Sequence, residues 1–218
     1  MIKQLLIISA ISFLCSCTAT STLISKRDLD VQTKTSNAIF VEPVVKSART
    51  VFLEVRSGVQ EFDRHQFVQF INNEFSQNPG GYRLVDDPEA AQFHMQAFVL
   101  NLEKASESAA KQALGQGYLG GAVLTGAAVG AAIDHNNRFR GAGVGGLAAG
   151  AADFIAGAVV KDVYYMLVVD LQVSEKTAQD RQAYQTRIVT TANKANLKLE
   201  DAAEPMFQKT AFAISSFF

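Results

Sequence analysis

The sequence predicts an α+β domain: a mixed sheet with flanking helices, interrupted by a glycine- and alanine-rich helical hairpin that packs in a membrane. Three observations predict it. Short runs of period-two apolar alternation occur on both sides of residues 115–160. Stretches with helical spacing lie between and after those runs. Twelve of the 15 glycines fall between Gly115 and Gly157, so the glycine-rich part is a separate unit from the sheet.

Composition narrows the function classes. The chain has 218 residues, 20 basic against 21 acidic side chains, and a net charge of -1. Bulk charge therefore gives no reason to expect nucleic acid. Hydrophobic residues make up 48%, too many for a disordered chain and too few for a polytopic membrane protein. Two cysteines exclude a disulfide-rich scaffold.

The N-terminus reads as an export signal. Lys3 precedes an apolar run from Leu5 to Leu14, which is too short to span a bilayer. The run ends in Leu14-Cys15-Ser16-Cys17. Leu at −3, a small residue at −1 and Cys at +1 resemble the bacterial lipobox. That resemblance implies diacylglycerol on the Cys17 thiol, cleavage before it and an N-acyl chain on the new terminus. Cys15 fits worse, because Leu14 would occupy the small site. Loss of Lys3 leaves 19 basic against 21 acidic groups, a mature charge of -2. The acylated Cys17 leaves no thiol for a disulfide. Residue 18 is Thr, not Asp, which by the enteric sorting rule implies the outer membrane. Several acyl chains suffice for stable anchoring.

Residues 18–35 are rich in Ser, Thr, Lys and Asp and read as a tether. Residues 37–43 read as a strand closed by Pro43. Residues 50–56 read as a second strand, with Val51, Leu53 and Val55 on one face. Phe67, Ile71 and Phe75, with Phe70 beside them, make a helix stripe. Asp63 is its expected N-cap, and Pro79-Gly80-Gly81 its stop. Residues 82–85 read as a short strand. Asp86-Asp87-Pro88-Glu89 reads as a cap and first helical turn, since Pro is favoured at N1. Phe93, Met95, Ala97 and Val99 mark a strand, and 106–114 is polar and helix-prone. Residues 162–173 are strongly β-prone, and 175–181 read as a solvated loop. Residues 185–191 read as a strand, and 200–218 as a C-terminal helix with Pro205 in its first turns. Too few amphipathic strands exist for a one-chain membrane barrel.

Within 115–160 the small residues recur every four positions. Gly117 and Gly121 start one series, and Ala122, Gly126 and Gly130 continue it; Ala142, Gly146 and Gly150 form another. Residues four apart share a helix face, and small residues there let helices approach closely in a membrane. Residues 134–140, with His135, Asn136, Asn137, Arg138 and Arg140, read as a polar turn between two spans. The spans, 117–133 and 141–160, are roughly 25 and 30 Å long at about 1.5 Å per residue. Both suit a thin outer membrane. Asp153 is the one charge inside either, and it is expected to face a lumen or subunit interface.

Catalytic signatures are absent. Gly115-x-Gly117-x-x-Gly120 and Gly141-x-Gly143-x-x-Gly146 match a dinucleotide pattern, but neither sits between a strand and a helix of a βαβ unit. His65, His94 and His135 lack metal-ligand spacing. We expect no enzyme activity, no metal and no cofactor beyond the acyl chains on Cys17.

Several segments carry a family likeness: 21–34 (Ser21-Thr22-Leu23-Ile24-Ser25-Lys26-Arg27), Arg49-Thr50-Val51-Phe52-Leu53, the glycine-rich hairpin, 160–173, and 184–200 (Tyr184-Gln185-Thr186-Arg187-Ile188-Val189). In this order they resemble the TraT proteins over nearly all of the mature chain. The resemblance implies an outer-membrane lipoprotein that acts in surface exclusion during conjugation, blocking mating-pair formation, and in resistance to complement. It also implies a ring-like homo-oligomer packing helical hairpins in the membrane. The stretch from Ser174 to Tyr184 is shorter than in the plasmid-borne members.

The chain thus divides into a signal peptide (1–16), an acylated tether (17–35), the first part of the α+β domain (36–112), a glycine-zipper hairpin (113–160) and the second part of the domain (161–218). Expected partners are further copies of the chain, outer-membrane lipid, and a donor-cell pilus or outer-membrane protein or complement components. The polar turn 134–140 and residues 175–182 are the candidate surface contacts. The alternative class is an oligomeric outer-membrane pore or secretion-channel lipoprotein.

Overall fold

The computed structural model describes residues 27–115, 161–177 and 181–218. Its described part is a mixed sheet of six strands with three flanking helices, an α+β domain. The elements are β1 (Asp30–Thr35), β2 (Thr50–Ser57), α1 (Arg64–Ser76), β3 (Arg83–Val85), β4 (Phe93–Ala105), α2 (Glu107–Gly115), β5 (Asp162–Lys176), β6 (Arg181–Ala195) and α3 (Leu199–Ser215). The sheet order is β1-β6-β5-β4-β2-β3. β2 runs parallel to both β3 and β4, and the other pairs are antiparallel.

The alternation that marks the strands also decides which face is buried. Val51 and Val55, Phe93, Met95, Ala97 and Val99, and Leu167, Val169, Leu171 and Val173 all belong to one core. Against it lie the α1 stripe of Phe67, Ile71 and Phe75 and the α3 stripe of Met206, Phe207, Ala211 and Ile214. Phe62, Phe67 and Phe207 meet edge-to-face at 5.3–5.5 Å, the geometry that aromatic quadrupoles favour. Asp63 caps α1 as the sequence predicts: its Oδ1 accepts from the Gln66 N–H at 2.9 Å.

One buried polar chain ties the edge strand to a helix. The hydroxyls of Thr33, Thr190 and Thr210 lie in series at 3.0 and 2.7 Å. Thr210 Oγ1 then donates to the Met206 carbonyl at 2.8 Å. Each hydroxyl thus has a partner, as buried polar groups require.

Four expectations need correction. Residues 37–43 are not a strand; the edge strand is β1, at 30–35. The reason is tertiary. β1 gains a full antiparallel ladder on β6, whereas Ile39 only drops into the core and leaves Phe40 81% exposed. Residues 86–89 are not a helical turn: Asp87 Oδ1 accepts from the Glu89 N–H at 2.9 Å in a local turn, a competing use of Asp that also looks like a cap. Residues 175–181 are not all a loop, because Glu175 and Lys176 belong to β5 and Arg181 opens β6. β4, β5 and β6 run longer than predicted, because each extension keeps its cross-strand partner. Pro205 lies inside α3.

Candidate functional site

The residues to which the sequence assigns function fall largely outside the described residues. This holds for Cys17, for Gly117, Gly121, Gly126, Gly130, Gly146 and Gly150, for His135, Asn136, Asn137, Arg138 and Arg140, and for Asp153. The structure shows the seat from which the glycine-rich segment departs and to which it returns.

The departure is α2. A β-bulge in β4 prepares it: Val99 pairs with Val169 but Asn101 with Val168, so Leu100 is an extra residue. The bulge swaps the faces beyond it. Asn101 Nδ2 secures the irregularity by donating to the Met166 carbonyl at 3.2 Å. After Ala105, Ser106 Oγ accepts from the Ala109 N–H at 3.2 Å and starts the helix. α2 then lies on the sheet face opposite the main core. Ala113 joins Met166, Val168 and Val189 in a second small cluster, with Leu100 and Ala105 at its margin. Small alanines let the helix sit close to the strands. At its end, Lys34 Nζ donates to the Gly115 carbonyl at 3.2 Å, so a side chain of β1 meets the last residue of α2.

The return is Lys161. Its N–H donates to Asn196 Oδ1 at 3.0 Å, and the Asn196 N–H donates to the Lys161 carbonyl at 2.8 Å. Asn196 has φ 54, a left-handed conformation that Asn adopts more readily than most residues. Next to this clasp, Asn193 Nδ2 donates to Asp162 Oδ1 and to the Val163 carbonyl at 3.0 Å. None of these residues was singled out from the sequence. The one available signal is the Asn between Ala195 and Leu197, just before a helix.

At the other end of the sheet, the β5–β6 hairpin closes with Lys176 opposite Arg181. The Lys176 N–H donates to the Gln92 carbonyl at 2.9 Å, and Gln92 Nε2 donates to the Lys176 carbonyl at 2.7 Å. Gln92 thereby braces the end of β5. Further along, Asp170 and Arg187 form a cross-strand ion pair, with the second contact at 2.7 Å.

His65 and His94, the histidines among the described residues, do not converge. His65 is exposed and bonds to Gln69 at 2.9 Å. His94 lies on the polar strand face, 2.7 Å from the Pro88 carbonyl, with its ring 5.5 Å from that of Phe52. Among the described residues no group of His, Cys, Asp and Glu could hold a metal ion, and no helix is long and apolar enough to cross a membrane. Burial lifts the carboxyl of Glu103 above its ordinary range, and the charge of Glu61 adds to this. Burial also lifts the Tyr165 phenol, with Glu200 adding to the effect and a backbone hydrogen bond from Leu199 opposing it.

A family model described as "Enterobacterial TraT complement resistance protein" matches residues 28–182 and 176–218. The chain belongs to the TraT family. A TraT complement resistance protein of Escherichia coli is 33% identical over 238 residues, covering 96% of this chain and 94% of that one. A second, from Escherichia coli strain K12, is 34% identical over 245 residues and covers 98% of both chains. The matched residues therefore span the glycine-rich segment and the positions of Lys161 and Asn196. Among solved structures, a PelC dodecamer from Paraburkholderia phytofirmans matches 86% of this chain and 98% of its own, at 8% identity and a TM-score of 0.36. That likeness is too slight to bear on fold or function.

Proposed function

We propose that this chain is a non-catalytic outer-membrane lipoprotein acting in complement resistance and in surface exclusion during conjugation. The observation that carries the reading is the end-to-end match to relatives named for complement resistance. The sequence supplies the physical means. Cys17 stands in a lipobox and takes the acyl chains. Residues 117–133 and 141–160 have the small-residue spacing of packed membrane helices. The domain meets the ends of that segment at Lys34–Gly115 and Lys161–Asn196.

In this reading the copies assemble into a ring through their hairpins, with outer-membrane lipid around them. A ring repeats each loop many times, so weak single contacts with a donor-cell surface protein or a complement component gain avidity. His135, Asn136, Asn137, Arg138 and Arg140 are the proposed contacts.

Two assays with and without the protein test this. Recipient cells expressing it are mated with donors carrying several plasmid types, and the same cells are exposed to serum. Many-fold fewer transconjugants for at least one donor, together with better survival in serum, are the expected results. Unchanged mating with every donor and unchanged killing would sink the reading.

A further inference from the structure

Apart from the short β5–β6 connection, the places where the described domain joins the rest of the chain lie in one half of the sheet. β1 begins at Asp30, which is level through Asn193 with Tyr164. α2 follows Ala105, which also pairs with Tyr164. It ends beside Lys34, which is level through Val189 with Val168. β5 itself starts at Asp162. From the level of Tyr164 to the hairpin end at Lys176 is roughly 40 Å, at about 3.3 Å per residue.

We propose that the domain stands on the membrane by the end at which β5 begins. Lys194, Asn196 and Lys198 then meet phospholipid headgroups, and the end of the β5–β6 hairpin is held roughly 40 Å further out. The proposal rests on reading 117–133 and 141–160 as membrane spans. The first span begins two residues beyond Gly115, and the second stops one residue before Lys161. Two extended residues reach only about 7 Å, so the second span stands at this end and the first starts near the level of Val168, in the same half of the sheet. The opposite orientation would need roughly 40 Å of connection on the Lys161 side and roughly 25 Å on the Gly115 side. At about 3.5 Å per extended residue it would unwind about a dozen residues of the second span and about five of the first.

The surface chemistry agrees. Lys198 and Asn196 are exposed and Lys194 is half-buried, an arrangement in which the lysine stems lie on protein and the ammonium groups reach phosphate. Acidic groups share this end: Asp30 accepts from Gln32 Nε2 at 2.6 Å, and Glu107 pairs with Lys111. Asp162 takes the Asn193 amide, and Glu200 and Asp201 occupy the first turn of α3, where the helix dipole favours them.

The test uses the mature acylated protein in vesicles of phosphatidylethanolamine and phosphatidylglycerol that contain a headgroup-nitroxide lipid. Lys198→Cys and Lys176→Cys each offer one free thiol for a fluorophore, because Cys17 is acylated. Several-fold stronger quenching at position 198 is expected. Equal quenching, or stronger quenching at 176, overturns the orientation. A parallel sample of Cys17→Ala washed with sodium carbonate tests the underlying reading. Retention supports the spans. Loss removes them, and with them this orientation, whichever position is quenched.

Discussion

Asn196 and Lys161 hold each other through two hydrogen bonds, one in each direction: the Asn196 N–H to the Lys161 carbonyl at 2.8 Å and the Lys161 N–H to Asn196 Oδ1 at 3.0 Å. The pair fixes where the chain re-enters the sheet. Two properties of Asn196 matter separately, its tolerance of φ 54 and its side-chain acceptor. Asn196→Ala loses both and should cost about 1–3 kcal/mol. Asn196→Gly restores the backbone freedom alone and should recover part of that loss. Asn196→Asp keeps an acceptor and should come closest to the parent. Urea unfolding of the three variants in detergent checks the order; Ala and Gly variants of equal stability would show that the left-handed backbone contributes nothing.

The strand and helix stripes were legible because their signals are local. Phe67, Ile71 and Phe75 repeat at helix spacing whatever surrounds them, and all three are buried. Asp63 announces its cap in the same way. The misread segments are those settled by distant partners. The polar β1 sequence (Asp-Val-Gln-Thr-Lys-Thr) looks like a tether until Ile188 to Asn193 is there to pair with it. Residues 37–43 look like a better strand, yet no neighbouring strand is offered to them. The bulge at Leu100 shows in the sequence only as a change of phase, from Val99 to Leu102, that alternation alone does not distinguish from the end of a strand. The seat of the glycine-rich segment was invisible for a related reason: Lys34 meets Gly115, and Lys161 meets Asn196, only through the sheet.

Gly80 should be irreplaceable. A Cβ there would run into the Phe218 carbonyl oxygen, with Asn78 Oδ1 at 2.8 Å and Tyr82 Cδ2 at 3.1 Å. The neighbours cannot give way easily, since the Phe218 ring is packed among Phe75, Tyr82 and Phe93 at 5.2–5.5 Å, and Arg49 Nη1 grips the Gly80 carbonyl at 2.6 Å. Gly80→Ala should destabilise by about 1–3 kcal/mol, the usual cost of overpacking. Thermal unfolding measures it; an unchanged midpoint would mean that the C-terminal turn shifts freely.

Asp170 and Arg187 face each other across β5 and β6, with side chains only 14% and 20% exposed. Such shielding and two-point geometry make the pair stronger than an open surface bridge. Removing either partner, by Asp170→Ala or Arg187→Ala, should cost about 1.5–3 kcal/mol. The double variant should lose clearly less than the sum, since the second change no longer breaks an existing bond. Strict additivity in the cycle would show that the two groups do not act together.

Glu103 gives stability a pH dependence of predictable sign. Burial raises its folded pKa, with Glu61 reinforcing the shift, while in the unfolded chain the carboxyl returns to its ordinary value. At neutral pH the group is ionised in both states, and the folded state carries the cost of a partly desolvated charge. As pH falls through the raised folded pKa, the folded state binds the proton first and that cost is relieved. The relief is complete below the unfolded value, near 4.5. Glu103→Gln removes the charge at every pH. It should therefore be more stable than the parent at neutral pH, by a modest amount because the side chain is only half-buried, and the difference should shrink towards zero as the pH falls to that of an ordinary carboxyl. Glu61→Gln should show a smaller gain with the same trend, since it removes the lesser of the two causes. Urea midpoints at several pH values read both differences, and a Glu103→Gln gain that grew on acidification would contradict the assigned cause.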